Sequence, residues 1–253
     1  MSLLIKFILF AFCFAIFTCQ SVELALTTKQ KFKLKADHYK PQVSSDRAVL
    51  LLHQCNFNRT MYDNIGQELS LRGIHALSFD FRWMGESIDE KTDIRVLAKL
   101  PPEQRKNPWA KVMEHWPEDV QLAYDFLRKK VGNDGLIGVV GASCGGRQAK
   151  VLAEKNSVSA FSFFSSAVVS SSNEEDVASY KSQLAKKPTL FISAEQDSTF
   201  AGTQKGFELN ENLNTKFLAY KGEEHGYPLL EQDNNLAKTI ALWFDRNLTS
   251  TNN

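Results

Sequence analysis

The segment Gly141-Ala142-Ser143-Cys144-Gly145-Gly146 sets one hydroxyl among neighbours that carry almost no side chain. It follows the apolar run Leu136-Ile137-Gly138-Val139-Val140, which reads as a buried strand, and it precedes a helix expected from about Cys144 to Glu154. A residue on so tight a strand-to-helix turn takes a strained backbone. Its neighbours two before and two after must lack side chains, or they collide across the turn. Gly141 and Gly145 meet that demand. The hydroxyl would then stand above the carboxyl edge of a sheet, with the N-terminal amides and positive dipole end of the new helix aimed at the same spot. That is a setting for nucleophilic chemistry. A serine hydroxyl attacks poorly at neutral pH, so an imidazole must take its proton and a carboxylate must hold that imidazole. Shifting the frame by one would make Cys144 the nucleophile. That frame loses the glycine two before and the paired glycines that begin two after, so Ser143 is preferred.

The elements around this turn are legible from hydrophobic period. Thr27 to Ala36 alternates, which predicts one half-exposed edge strand. Ala48 to Leu52 is continuously apolar, as expected of a strand covered on both faces of a parallel sheet. Helical spacing over Met61, Ile65 and Leu69 stops at Gly73, and Ile74 to Phe79 reads as the next strand. A helix is expected from near Asp119, and further strands at Val158 to Phe164, Thr189 to Ser193 and Lys216 to Ala219. An amphipathic helix from Leu236 to Leu248 turns Ile240, Trp243 and Phe244 inward. Such alternation implies an open, mostly parallel sheet with helices on both faces. Residues 88–116 break the rhythm: the segment is charged and holds Pro101, Pro102 and Pro108. Connections of that length are usually functional or disordered, and Trp109, Met113 and Trp116 would be costly in water. A small lid over the site is the expectation; the alternative is a surface excursion whose aromatics pack on the scaffold.

The chain has 253 residues and a net charge of +1, so nothing argues for a nucleic-acid or membrane-surface partner. Phe7 to Phe17 is an uninterrupted apolar run behind Lys6. As helix it would span only about 16 Å, roughly half a bilayer core. Thr18 to Ser21 is small and polar. Residues 1–21 therefore read as a secretory signal peptide and 22–253 as an exported domain, secreted or periplasmic, with no stable membrane insertion after cleavage. Lipid anchoring through Cys19 is the alternative, and Phe17-Thr18 before it fits that poorly. Beyond Cys13 and Cys19 only Cys55 and Cys144 remain, too few for a disulfide framework. Asn58-Arg59-Thr60 and Asn247-Leu248-Thr249 fit the glycosylation sequon, which matters only in a eukaryote. No metal-ligand cluster, dinucleotide fingerprint or phosphate loop stands in the sequence. His38, His75 and His115 are isolated and read as structural.

The serine turn in this setting resembles the α/β-hydrolase family, particularly its compact dienelactone-hydrolase-like and serine esterase branches. The resemblance covers essentially all of the mature chain. It implies a sheet of about eight strands and the chain order nucleophile, acid, histidine. Asp197 in Ala194-Glu195-Gln196-Asp197 and His225 in Gly222-Glu223-Glu224-His225-Gly226 supply that order. Both fall in loops after strands, at the same edge as Ser143. Glu195 and Glu224 are competing acids. An oxyanion hole needs two amide donors. The resemblance makes these the backbone N–H groups of Cys144 and of Cys55, the latter in His53-Gln54-Cys55-Asn56. Gln54 stands where the family usually has glycine, and His53 is expected beneath the site. If both donors are so placed, Cys55 and Cys144 flank one hole; a disulfide between them requires Cα atoms within about 7 Å. Asp80, Arg82, Gly85 and Ser87 match the family's Asp-x-Arg-Gly-x-Gly-x-Ser turn, with Trp83 and Met84 as departures. Trp83 is a candidate for lining the pocket.

What the resemblance implies is hydrolysis of a small-molecule carboxylic ester through an acyl-enzyme on Ser143, with no cofactor and no metal. The alternatives are a peptidase or amidase of the same fold, and a binding protein that has kept the fold and lost activity. Oligomeric state is not legible here.

Overall fold

The computed structural model describes residues 21–89, 93–97, 99–169 and 173–249. The expected leader and Cys19 therefore lie outside the described residues, apart from Ser21. The strands are β1 (Ser21–Thr27), β2 (Lys33–Tyr39), β3 (Arg47–Leu52), β4 (His75–Phe79), β5 (Leu136–Ala142), β6 (Ala160–Phe164), β7 (Thr189–Ala194) and β8 (Lys216–Tyr220). They form one eight-stranded sheet in the order β1-β2-β4-β3-β5-β6-β7-β8. β1 pairs antiparallel with β2, and β2 with β4; every other pairing is parallel. The helices are α1 (Asp63–Leu71), α2 (Ile94–Leu97), α3 (Pro102–Glu114), α4 (Trp116–Val131), α5 (Cys144–Ala153), α6 (Glu174–Gln183), α7 (Phe200–Glu208), α8 (Tyr227–Gln232) and α9 (Leu236–Asn247).

Side chains of a strand point alternately to its two faces, and the continuous apolar runs accordingly feed two cores. Ala48, Leu50 and Leu52 pack with Ile137, Val139, Phe161, Phe163 and Phe191 against α4 and α5. Val49 and Leu51 pack with Val140, Phe164, Leu190 and Ile192 against α1 and α9. Each Leu, Ile or Phe so buried contributes about 1.5–3 kcal/mol. Ile240 and Phe244 of α9 are fully buried and Trp243 nearly so, as the helical period predicts.

The alternation of Thr27 to Ala36 misleads in one respect. It is not one edge strand but the turn and second half of a hairpin. The Thr28 N–H donates to the Phe32 carbonyl at 2.9 Å and the Lys31 N–H to the Thr28 carbonyl at 3.0 Å. Lys31 enters the left-handed region at φ 65°. β1 is the edge, and β2 lies inside the sheet with Leu34 and Ala36 fully buried. Met61, expected on a helix, lies in a 3-10 turn (Arg59–Tyr62) that leads into α1.

Within 88–116, α2 and α3 form, and Pro108 sits inside α3. Trp116 is buried, stacks on Phe81 at 4.8 Å and receives the Trp109 ring edge-on at 6.0 Å. Val112 is fully buried, and Trp109 and Met113 pack half-buried on the same core. No helix among the described residues is long and apolar enough to cross a membrane.

Candidate active site

The parallel registers bring the candidate loops to one rim. Leu52 lies beside Gly141, Ala142 beside Phe164, Phe164 beside Ile192, and Ala194 beside Tyr220. The segments that follow these strand ends carry Cys55, Ser143, Ser165, Asp197 and His225. Ligands in open α/β sheets bind outside such carboxyl ends.

Ser143 alone makes the turn from β5 to α5, at φ 49° and ψ −111°. A non-glycine residue held there costs on the order of 1–3 kcal/mol and persists only where its surroundings fix it. Its N–H donates to the Phe164 carbonyl at 2.9 Å, and its carbonyl accepts the Gly146 N–H at 3.0 Å and the Ser166 hydroxyl at 3.1 Å. A Cβ at Gly141 would lie 2.6 Å from the Gly145 carbonyl oxygen, and one at Gly145 would strike the Leu52 carbonyl. The two glycines are therefore required by contact as well as by pattern.

Asp197 follows β7 and is turned back by its N–H to the Ala194 carbonyl at 3.1 Å. Its loop is zipped to the loop after β8, because the Gln196 N–H donates to the Gly222 carbonyl at 2.9 Å. His225 Nδ1 stands 3.0 Å from both oxygens of Asp197, whose side chain is 1% exposed. Burial pushes the Asp197 carboxyl up, but the Thr199 N–H, His225 and the Ser165 hydroxyl together outweigh it and hold it below the usual carboxylate value. An ionised Asp197 accepts the Nδ1–H, which leaves the Nε2 lone pair free to take a proton. Glu195 is exposed, and Glu224 has a buried Oε2 without a partner among the described residues. Of the three acids, Asp197 is the one that meets the imidazole.

No hydrogen bond joins Ser143 Oγ to His225 among the described residues. Catalytic bonds commonly close only around substrate. The two sides are nevertheless bound to one three-residue stretch. Phe164 and Ser166 hold the Ser143 backbone, and Ser165 Oγ between them accepts the Gly226 N–H at 2.9 Å. Ser165 is fully buried at φ 44°, and its hydroxyl helps to lower the Asp197 pKa. Nothing in the sequence near it pointed to that role.

Cys55 and Cys144 form a disulfide, with Cα atoms 5.5 Å apart. This removes the thiol that the alternative frame required of Cys144. Behind the Cys55 loop, His53 Nε2 accepts the Phe81 N–H at 3.0 Å, so its Nδ1–H donates to the Gln54 carbonyl at 2.7 Å. Burial lowers its pKa to about 4, which keeps it neutral at pH 7. Gln54, the departure from glycine, has work of its own: its Oε1 accepts the Tyr227 N–H at 2.7 Å, two residues beyond His225.

The Asp-x-Arg turn is structural. Asp80 is fully buried and accepts from the Arg59 N–H at 2.6 Å, the Arg59 Nη1 at 2.7 Å and the Glu86 N–H at 2.8 Å. Arg82 pairs with buried Asp119 at 2.6 Å. Trp83 is half-buried at φ 73° against the core that also carries Cys55 and Cys144. A cleft of about 750 Å³ opens beside the Cys55 loop, lined by Asn56, Phe57, Arg59, Glu86, Asp93 and Arg95 among others. Trp83 is not among its described lining residues. Among the described residues no group of three or more His, Cys, Asp or Glu side chains could hold a metal ion.

A strained serine between strand and helix, with an aspartate–histidine pair at the same rim of a mostly parallel eight-stranded sheet, defines the α/β-hydrolase fold. A family model for the alpha/beta hydrolase domain matches residues 46–245, and the chain belongs to that family. Among solved structures it is similar to a dienelactone hydrolase from Anabaena variabilis, at TM-score 0.68 and 18% identity over 92% of this chain and 100% of that one. It is similar also to an esterase from Pyrococcus furiosus, at TM-score 0.65 and 18% identity over 91% and 94% of the two chains. A cold-adapted esterase from an Arctic intertidal metagenomic library gives TM-score 0.63 and 17% identity over 90% and 93%. No curated protein matches the sequence significantly.

Proposed function

We propose that this protein hydrolyses small carboxylic esters through an acyl-enzyme on Ser143. The observation that carries the reading is the buried Asp197 carboxylate shared at 3.0 Å by His225 Nδ1, at the rim where Ser143 makes its strained turn. The similar solved structures named as esterases support it. Ser143 Oγ attacks the ester carbonyl carbon and its proton passes to His225 Nε2. The oxyanion that forms takes hydrogen bonds from the Cys55 and Cys144 N–H groups. Collapse breaks the bond to the alcohol, which leaves with the proton from His225. Water then attacks the acyl carbon, His225 takes its proton, and the acid is released with Ser143 restored.

The segment from Asp93 to Arg95, which borders the cleft beside Cys55, supports a lid role for residues 88–116. Export is proposed as well, on the apolar leader and on a disulfide of a kind that persists in oxidising compartments. Peptide or amide cleavage uses the same three groups, so the test is comparative. Purified protein should turn over short p-nitrophenyl esters at least 100-fold faster than aminoacyl anilides, and Ser143→Ala should lower that turnover by about 10³-fold or more at unchanged Tm. Faster anilide cleavage would make it a peptidase or amidase; turnover retained in the alanine variant would remove Ser143 from the reaction.

A further inference from the structure

The two cysteines joined by the disulfide are the same two residues whose amides face the proposed oxyanion. The Cys55 N–H meets no acceptor among the described residues. Cys144 is the first residue of α5, where backbone N–H groups have no intrahelical partner. Two free donors thus sit on residues with Cα atoms 5.5 Å apart, the second directly after Ser143.

The loop that carries Cys55 is anchored at its ends. Upstream, His53 and Gln54 bond to Phe81 and Tyr227; downstream, Asn58 Oδ1 caps the 3-10 turn and Arg59 is gripped by Asp80. Between those anchors lies a turn in which Asn56 is exposed at φ 62°. Among the described residues, the disulfide is the one bond on Cys55. We infer that the Cys55–Cys144 disulfide is a positioning element of the oxyanion hole, which fixes the spacing of its two N–H donors and makes full turnover a property of the oxidised protein. The inference rests on the ester-hydrolase reading above. The hole acts on charge that develops after attack, so loosening it lowers kcat and leaves KM nearly unchanged.

Opening the bond is a two-electron step. A dithiol such as dithiothreitol supplies both electrons and closes to its own cyclic disulfide, its two protons ending on Cys55 and Cys144 Sγ. The test compares the full chain oxidised, the same chain after dithiothreitol, and the double variant Cys55→Ala/Cys144→Ala. Each is assayed with p-nitrophenyl acetate well below its Tm, with circular dichroism to confirm folding. Phenylboronic acid, which forms a tetrahedral adduct on a serine, reads the hole directly on the oxidised chain and the variant.

Breaking the disulfide should lower kcat by about 10- to 100-fold with KM within twofold, weaken the boronate by a similar factor, and be reversed by reoxidation. Equal kcat in folded oxidised, reduced and variant protein, all hydrolysing the ester, overturns the positioning role and leaves the hydrolase reading intact. Folded oxidised protein that neither cleaves the ester nor takes the boronate overturns both. Should the double variant fail to fold, dithiothreitol treatment of folded wild type at low temperature decides the question alone.

Discussion

Ser165 accepts the Gly226 N–H at 2.9 Å, tying the end of β6 to the residue directly after His225. Its hydroxyl also helps to hold the Asp197 carboxyl below the usual carboxylate value, so one buried side chain bears on both members of the acid–imidazole pair. The imidazole must meet its partners within a few tenths of an ångström, and misplacement by 1 Å can cost about 100-fold in rate.

Ser165→Ala should lower kcat about 10-fold with little change in KM, because a lost positioning bond leaves substrate contacts in place. Ser165→Gly separates hydroxyl from backbone: glycine tolerates φ 44° without strain, so this variant should lose the same activity, with any fall in Tm coming from the unpaired Gly226 N–H and not from the turn. Steady-state kinetics on both variants checks it. Full activity in the glycine variant would reduce Ser165 to a turn residue.

Stability should fall as pH drops from 7.5 towards 4. Burial lowers the pKa of His38 to about 4 and of His53 to about 4, and it lowers His75 as well. His38 Nε2 and His75 Nδ1 face each other at 3.1 Å, a contact that needs one donor and one acceptor. At these histidines the unfolded chain therefore binds more protons than the folded one below about pH 6.5, and their contribution to stability rises with pH across that window. It is fully present above the unfolded value and lost as pH falls through the folded values. The shifts of His38 and His53 are worth on the order of 3 kcal/mol each. Thermal melts between pH 7.5 and 4.5 check this; a flat Tm contradicts it.

Much of the fold was legible because β3 and β5 are covered on both faces and read as unbroken apolar runs. The serine turn was legible because its geometry demands glycines at fixed spacing. The hairpin was not. Lys29 to Lys35 continues the alternation straight through the turn, and the left-handed position is taken by Lys31 without the usual glycine or asparagine. In residues 88–116 the charges and prolines mark only a break in the rhythm, whereas α3 forms there and accommodates Pro108. Gln54 shows in the sequence only as a departure from glycine, because its partner, the Tyr227 N–H, lies 173 residues away. Ser165 failed to show for the same reason, its partner being 61 residues distant. Contacts of that range leave no local pattern.

Arg59 is buried between Asp80 at 2.7 Å and Asp37 at 2.8 Å, with Glu86 on its remaining nitrogen at 2.5 Å. Removing it leaves buried carboxylates uncompensated. Arg59→Met should cost about 3–5 kcal/mol in urea unfolding, against under about 1 kcal/mol for an exposed pair such as Lys29–Glu118. Equal, small losses would show the network to be ornamental.

The disulfide closes a long loop, with 89 residues of sequence separation. The chain-entropy account assigns such a closure about 4–5 kcal/mol through the unfolded state. Calorimetry with and without dithiol should show Tm falling by several degrees on reduction; an unchanged Tm would mean that the reduced unfolded chain is already restrained.

The most direct test of Ser143 as the nucleophile is a stoichiometric one. A fluorophosphonate added to folded, oxidised protein should attach one phosphonyl group per chain, and peptide mass mapping should place it on Ser143, with Ser143→Ala unlabelled. Failure of the folded wild type to label, or a label on any other residue, contradicts the account.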